Sequence, residues 1–306
     1  MSVLKNNFLN LGCTTTLSTG KATKNNDTFL TQNFDVVGDL HNYIDLLTVP
    51  PVLGKIRIAK TKGENYNYAY WGIPSLFEIP IMNEHGLGFG GNALLLTKDK
   101  NRYVDEGVGM SIFMLDRLTM IKCKTVQEVA DLWKNTERAL NKRTRFCFWD
   151  GATSCWCDKQ GGILVIEQTH NHIKTVFGDS VDITNAPEDI LWHTNHHMWL
   201  DPDKTGSIKF DEGIAAQQSF ARAKRARELL EESYGNIDVD VCKRIVSDHN
   251  EPDYTSFNIC SHPDKEYFAK STFSWVLESE KMRVHWTRGS PCTYKFKSED
   301  ISKKFK

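Results

Sequence analysis

The sequence has almost no net charge and no long apolar run. Its 306 residues include 38 lysines and arginines against 39 aspartates and glutamates. Because there is no basic excess, we expect neither nucleic acid nor a membrane surface as a partner. The opening MSVLKNNFLNLG has only broken apolar segments, so we expect neither a secretory signal nor a spanning helix there. These absences predict a cytoplasmic protein with a small-molecule partner.

Paired cysteine spacing is also missing. None of the eight cysteines forms a C-x-x-C pair, so the sequence predicts neither a zinc motif nor a secreted disulfide scaffold. Cys155 and Cys157 are two residues apart and should pack on one strand face. His193, His196 and His197 lie close in sequence, but neighbouring histidines on a strand point to opposite faces and no carboxylate completes a ligand set. We predict no metal there.

The chain has no repeat, low-complexity tract or linker, which favours a single domain. Strand-like segments come first and last with helices grouped between them, an order typical of α+β layers. The predicted strands are Thr28–Phe34, Lys55–Lys60, Tyr66–Trp71, Leu87–Leu95, Arg145–Trp149, Gly162–Glu167, His172–Phe177, Ser271–Leu277, Met282–Thr287 and Thr293–Phe296. The predicted helices are Gly109–Met120, one from a Thr125/Glu128 capping box to Asn141, Gly213–Ser233 and Asp238–Asp248.

One cysteine stands in a hydroxyl-rich segment, Gly12-Cys13-Thr14-Thr15-Thr16, rather than in an apolar run. A nucleophilic thiol inside a chain needs a separate base. Cleavage of the Gly12–Cys13 bond would instead give Cys13 its own α-amino group, with a reference pKa of about 7.7–8.0, as that base. Glycine before the bond suits a strained, closely approached backbone. From these residues alone, a buried structural cysteine is the alternative.

Seven short motifs, taken in chain order, support the reactive interpretation. They are Gly12-Cys13-Thr14-Thr15, Gln32-Asn33-Phe34-Asp35, Met82-Asn83-Glu84-His85-Gly86-Leu87 with Asn92, His193-Thr194-Asn195-His196, Ser247-Asp248-His249, Ile259-Cys260-Ser261-His262 and Gly289-Ser290-Pro291-Cys292. In this order they resemble the isopenicillin-N acyltransferases, also called acyl-coenzyme A:6-aminopenicillanate acyltransferases. That family consists of self-processing N-terminal-nucleophile hydrolases. The resemblance implies a four-layer αββα sandwich.

The resemblance also implies how the protein is activated. Cys13 matches the nucleophile that cleavage after Gly12 exposes, so residues 1–12 would be a short propeptide and residues 13–306 one catalytic domain. The implied activity is cleavage or formation of linear amide bonds through an acyl-thioester on Cys13. It needs no cofactor, and its substrates would be N-acyl amides, peptides or acyl-thioesters. The balance between hydrolase and acyltransferase stays open, as does homo-oligomer formation.

Further residues match positions with roles in the family. Asp35 matches the acid that orients the α-amino group, while Asn195 and Asn92 match asparagines that stabilise the oxyanion. Gln32 stands where bile-salt and penicillin V hydrolases carry arginine, which favours the acyltransferase branch and a role in substrate binding. Arg222 is either an anchor for a substrate carboxylate or part of a solvated basic helix face. Without the resemblance, ordinary turn roles would be favoured for Asp35 and Asn92.

The segment DPDKTGSIKFDE, residues 201–212, matches the register of a calcium-binding loop. The oxygen ligands would come from Asp201, Asp203, Thr205, Ser207 and Glu212. No clear entering helix precedes the segment and no second loop pairs with it. Weak calcium binding and an Asp/Gly surface turn are therefore the two alternatives.

The sequence leaves two other functions open. The segment GKATKNNDTFLTQNFD also resembles the opening of dipeptidase-type N-terminal-nucleophile amidohydrolases. A non-catalytic ligand-binding member of the fold is the more distant alternative, because Cys13, Asp35 and Asn195 are all present.

Overall fold

The computed structural model describes residues 12–37, 55–73, 77–97, 107–139, 152–250, 255–263 and 269–306. Residues 1–11 of the predicted propeptide and the predicted strand Arg145–Trp149 lie outside these ranges. The strands of the described residues are β1 (Gly12–Gly20), β2 (Asn26–Val37), β3 (Arg57–Ala59), β4 (Tyr68–Ile73), β5 (Phe77–Asn83), β6 (Gly88–Ala93), β7 (Ala152–Cys157), β8 (Ile163–Gln168), β9 (Ile173–Phe177), β10 (Ile190–His193), β11 (Ala269–Glu278), β12 (Arg283–Arg288) and β13 (Lys297–Asp300).

These strands form two antiparallel sheets. One sheet has the order β10-β1-β2-β11-β12-β13, and the other has the order β3-β4-β5-β6-β7-β8-β9. β1 and β2 make a hairpin in which Cys13 lies opposite Phe34 and Gly12 lies opposite Asp35. Side chains of directly opposed residues share a sheet face, so this register places Cys13 and Phe34 on the same side.

The inner faces of the two sheets pack on one another through a continuous apolar core. Leu17 and Trp275 from the first sheet and Trp71 and Val165 from the second are all buried in it. The Trp71 ring packs edge-on against Phe273, with 4.8 Å between ring centroids. Aromatic side chains of this size bury large apolar areas, which makes the interface between the sheets a major source of stability.

Helices cover both outer faces. The α-helices of the described residues are α1 (Ile112–Lys122), α2 (Val126–Lys134), α3 (Val181–Thr184), α4 (Pro202–Thr205), α5 (Ile214–Glu232) and α6 (Val239–Val246). α1 and α2 pack on the seven-stranded sheet through residues such as Leu115 and Trp133. α5 and α6 pack on the six-stranded sheet through residues such as Ala226 and Ile245. The predicted αββα layering is confirmed.

Side-chain caps set the ends of the helices. The Thr125/Glu128 capping box is present and begins α2. The helix ends at Lys134 rather than at Asn141, because the buried Arg138 guanidinium donates to the carbonyls of Trp133 and Thr136 at 2.7 and 2.9 Å. α1 begins at Ile112 rather than Gly109, since Ser111 provides the N-cap.

The strand predicted at Thr293–Phe296 is wrong. The backbone N–H groups of Thr293 and Tyr294 both donate to Ser290 O, which makes this segment a turn, and β13 begins only at Lys297.

Within the described ranges, no helix is long and apolar enough to cross a membrane. Cytoplasmic location and homo-oligomer formation stay predictions.

Candidate active site

Cys13 lies in β1, fully buried, with both of its peptide groups held. Its backbone N–H donates to Asn195 Oδ1 at 3.0 Å, and its carbonyl accepts from Arg222 Nη1 at 2.5 Å. Burial, together with the nearby Asp35 carboxylate, raises the pKa of the thiol to about 12, against opposing effects of the Ala93 backbone and Arg222. In the uncleaved chain the thiol is therefore neutral near pH 7.

Asp35 faces Gly12 across the hairpin. A Cβ atom at position 12 would lie 2.7 Å from Asp35 Oδ2, so only glycine lets the carboxylate approach this closely. Asp35 Oδ1 accepts from Ser271 Oγ at 2.6 Å, whereas Oδ2 has no hydrogen-bond partner among the described residues. Burial raises the pKa of the carboxyl, although Arg222 and the Ser271 bond act in the other direction. The open oxygen thus lies against Gly12, the residue before the bond predicted to be cleaved.

Asn195 follows β10 and is tied to both sheets. Its backbone N–H donates to Ser219 Oγ at 2.9 Å, and its side-chain Nδ2 donates to Ala93 O at 2.9 Å. Its Oδ1 accepts from the Cys13 N–H and from Arg222 Nη2, the latter at 2.7 Å. In the uncleaved chain the Asn195 amide therefore orients the nitrogen that would become the α-amino group.

Arg222 reaches the same place from the helix layer. It lies in α5 and is 3% exposed, which excludes the solvated-face alternative. Besides the Cys13 carbonyl and Asn195, its guanidinium binds Thr14 Oγ1 at 2.9 Å. Several hydrogen bonds from one planar guanidinium group fix the positions of their acceptors. The structure brings Cys13, Asp35, Asn195 and Arg222 together.

Asn92 and Gln32 form a polar network in the space between the sheets. Gln32 Oε1 accepts from Thr15 Oγ1 at 2.6 Å and from Gly91 N at 3.0 Å, and its Nε2 donates to Asn33 O at 2.8 Å. Asn92 Oδ1 accepts from the same Thr15 hydroxyl at 3.0 Å. Gln32 is fully buried by these contacts, and its role in substrate binding stays a prediction.

A cavity of about 60 Å³ adjoins this network. Asn92 lines it, as does Phe34, the residue directly opposite Cys13 on β2. Its other lining residues are mostly apolar and include Ile79, Pro80, Phe89, Ile112, Phe113 and Trp275. Phe34 is thus the link between this cavity and the strand that carries Cys13.

Sequence reasoning missed the buried carboxylate of Glu167 at the end of β8. Its Oε1 lies 2.9 Å from His193 Nε2, and its oxygens accept from the backbone N–H groups of Trp199 and Leu200 at 3.0 and 2.7 Å. Burial alone would raise the pKa of Glu167, but hydrogen bonds from His193 and from the Met198 backbone outweigh it and lower that pKa. The carboxylate anchors the segment after Asn195. A glutamate inside the apolar run ILVIEQ was the signal available in the sequence.

The predicted calcium-loop residues have other contacts in the structure. The Asp201 side chain caps α4, and Glu212 accepts from Thr97 Oγ1 and from the Lys209 backbone N–H. Within the described part of the chain, the carboxylates of Asp201, Asp203 and Glu212 do not form one cluster. Asp203 pairs with Lys209, Thr205 bonds to His197, and Ser207 accepts from the His197 N–H. Calcium binding stays a prediction.

Comparison with known families matches residues 22–292 to the model of acyl-coenzyme A:6-aminopenicillanic acid acyl-transferase. The chain belongs to this acyl-transferase family. Comparison with curated proteins gave no match. Membership supports an enzyme of the N-terminal-cysteine amidohydrolase and acyltransferase class in general terms.

Solved structures of similar fold agree with this family assignment. A mutant of conjugated bile acid hydrolase from Clostridium perfringens aligns with a TM-score of 0.52 and 12% identity, covering 95% of this chain and 93% of that one. Penicillin V acylase from Agrobacterium tumefaciens aligns with a TM-score of 0.51 and 13% identity, covering 95% of this chain and 87% of that one. The acyl-transferase family member described here therefore has the fold of N-terminal-nucleophile hydrolases.

Proposed function

We propose that the protein is an amidohydrolase or acyltransferase that activates itself by cleaving the Gly12–Cys13 bond and then forms an acyl-thioester on Cys13. The observation that carries the proposal is the way this peptide bond is held. The Cys13 N–H is bonded to Asn195 Oδ1, and Gly12 lies against the open Oδ2 of Asp35. A merely structural buried cysteine has no need of either contact.

Activation would begin with attack of Cys13 Sγ on the Gly12 carbonyl carbon. The C–N bond breaks, the nitrogen takes the thiol proton, and Gly12 is left as a thioester on Cys13. Water then hydrolyses the thioester and releases the peptide that ends at Gly12. Arg222 and Asn195 support this step because they hold the Cys13 carbonyl and nitrogen in fixed positions.

Turnover would use the α-amino group that cleavage creates. This group accepts the thiol proton as the sulfur attacks the substrate carbonyl, and returns it to the leaving amine. The α-ammonium is a partner for Asp35 Oδ2, and its charge lowers the raised pKa of that carboxyl. Asn195 and Asn92 would donate to the tetrahedral oxyanion. Asn195 Nδ2 bonds to Ala93 O in the uncleaved chain, so its oxyanion role belongs to the processed enzyme.

The proposed substrate class rests on the cavity lined by Asn92 and by Phe34, the residue opposite Cys13. Phe34, Phe89 and Trp275 give that cavity an apolar wall, which suits a hydrophobic acyl group. The two solved relatives carry the names bile acid hydrolase and penicillin V acylase, names that agree with acyl-amide substrates. We therefore favour small N-acyl amides with an apolar acyl part. Water or an amine would resolve the thioester, giving hydrolysis or acyl transfer.

The test is to trap the acyl-enzyme. Processed wild type is mixed with a panel of N-acyl amino acids, a penicillin, a conjugated bile acid and dipeptides, then quenched in acid for intact mass. The proposal expects an acyl adduct on Cys13 with at least one N-acyl amide and none in Cys13→Ala. Turnover of dipeptides alone would favour the dipeptidase alternative. No adduct and no turnover with any amide would leave a ligand-binding protein. Repeating the reaction with an amine acceptor separates hydrolysis from acyl transfer.

A further inference from the structure

Four side chains outside the Cys13 site converge on one point. They belong to His249, Cys260, His262 and Cys292, and their nitrogen and sulfur atoms all lie within 4.8 Å of one another. His249 Nε2 is 3.0 Å from His262 Nε2. The sulfurs of Cys260 and Cys292 lie 3.5 and 3.4 Å from His262 Nε2. The sequence spacing does not suggest this cluster, because the ligands come from three separate segments.

Hydrogen bonds to backbone carbonyl groups hold these segments in place. The Cys260 N–H donates to Asp248 O at 3.1 Å, which joins the Cys260 segment to the residue before His249. The His262 N–H donates to Thr255 O at 3.1 Å. The segment before Cys292 is fixed where Ser290 Oγ donates to Ser271 O at 3.1 Å. The four groups are therefore pre-arranged by the fold.

We propose that His249, Cys260, His262 and Cys292 bind one zinc ion in a closed, structural site. Two thiolates and two imidazoles are a common zinc ligand set. With zinc bonds of about 2.3 Å to sulfur and 2.0–2.1 Å to nitrogen, a tetrahedron has nitrogen–nitrogen and nitrogen–sulfur edges of roughly 3.3–3.6 Å. The observed separations of 3.0, 3.4 and 3.5 Å are close to these edges.

Zinc explains the cluster better than a disulfide does. A Cys260–Cys292 disulfide would account for the two sulfurs but would leave the facing Nε2 atoms of His249 and His262 without a common function. One tetrahedral ion uses all four groups. Because four protein ligands fill the coordination sphere, no open position remains for a substrate or a catalytic water. The role is therefore structural.

The zinc ion would act on the Cys13 site through a short chain of contacts. The residue after Cys260 is Ser261, whose backbone N–H donates to Ser271 Oγ at 2.9 Å. The same Ser271 hydroxyl donates to Asp35 Oδ1 at 2.6 Å. Fixing Cys260 by a metal bond thus fixes the hydroxyl that orients Asp35. The site itself stands whether or not the proposed amidase activity is correct.

The experiment measures metal directly. Wild type, Cys292→Ser and the control Cys242→Ala are expressed with added zinc, purified without chelator, and analysed by inductively coupled plasma mass spectrometry. Cys292 is exposed, so its serine variant should fold, whereas Cys242 is a buried thiol in α6 that is not a member of the cluster. We expect about one zinc per chain in wild type and Cys242→Ala, and at least about a tenfold loss in Cys292→Ser.

Cobalt gives an independent readout of geometry. Wild-type protein from which a chelator has removed the metal is titrated with Co²⁺. It should develop the intense visible bands of a tetrahedral ion and a thiolate charge-transfer band, and both should be weaker in Cys292→Ser. Three results would overturn the proposal: wild type that holds no zinc and gives no tetrahedral cobalt spectrum, equal zinc in wild type and Cys292→Ser, or a Cys260–Cys292 disulfide in freshly purified protein by peptide mass mapping.

Discussion

Gly12 and Asp35 face each other across the β1–β2 hairpin so closely that a single methyl group on Gly12 would lie 2.7 Å from Asp35 Oδ2. Non-bonded contacts of real Cβ atoms are essentially never this short, so any side chain at position 12 must displace the carboxylate. The same carboxylate is the group proposed to orient the α-amino group of Cys13. The residue before the nucleophile therefore controls the position of the acid behind it.

Gly12→Ala should slow processing. The added methyl group pushes Asp35 away from the Gly12–Cys13 bond, and overpacking of this kind costs about 1–3 kcal/mol in the free energy of unfolding. Cleavage is followed as a time course by intact mass. Stability is measured by denaturant unfolding of Cys13→Ala, which cannot be cleaved, and of the Cys13→Ala/Gly12→Ala double variant. Cleavage at the wild-type rate would mean that the contact between positions 12 and 35 has no part in processing.

Intact mass of the purified wild type should reveal a chain that begins at Cys13. Self-cleavage needs the thiol, so Cys13→Ala should remain full length while Cys242→Ala, which removes a thiol in α6, should be processed normally. Amide hydrolysis by wild-type protein that stays uncleaved after long incubation would contradict the mechanism, because its general base would then not exist.

Asp35→Asn should block processing, turnover or both. The neutral amide cannot pair with the α-ammonium of Cys13, and loss of an acid–base arrangement of this kind costs about a hundredfold or more in rate. The matched control is Asp27→Asn on the same strand, where the carboxylate pairs with Lys281 at the surface. Both variants are assayed by cleavage and by kcat on the best amide substrate. Equal rates in the two would remove Asp35 from the mechanism.

Arg222→Lys should lower kcat and slow processing with little change in KM. An ammonium group cannot span the Cys13 carbonyl, Thr14 Oγ1 and Asn195 Oδ1 as the guanidinium does. Arg227→Lys, at a partly exposed site on the same helix paired with Glu231, is the control. A large rise in KM at unchanged kcat would instead support the sequence-based idea that Arg222 anchors a substrate carboxylate.

Local sequence signals predicted most of the fold because their physics is local. The Thr125/Glu128 capping box marked the start of α2, and helix-favouring composition outlined α5. The end of α2 was missed because Arg138 caps it from outside the helix. β1 was not predicted as a strand, since its threonine-rich segment is fully buried only when β2 and β10 flank it.

The residues of the candidate site likewise differ in whether local sequence could reveal them. Cys13 and Asp35 could be found because an unusual local segment and an ordered set of motifs marked them. The position of Arg222 behind the nucleophile could not, because it depends on how α5 packs over β1. The Cys260 and Cys292 thiols illustrate the same limit: their separation in sequence hides a cluster that only the tertiary structure assembles.

Acid should destabilise the protein through its buried histidines, and His197 offers the clearest test. Burial lowers the pKa of His197 from 6.5 to about 4, with Glu167 opposing and His193 reinforcing the shift. Between these pH values the unfolded chain binds a proton that the folded chain does not, so stability rises with pH by up to about 1.4 kcal/mol per unit for this one group. His197→Asn keeps a partner for Thr205 but takes up no proton, and should therefore reduce the slope. The measurement is urea unfolding of wild type and His197→Asn from about pH 5 to pH 7. If the free energy of unfolding depends on pH equally in the two proteins, His197 is not held neutral in the folded state.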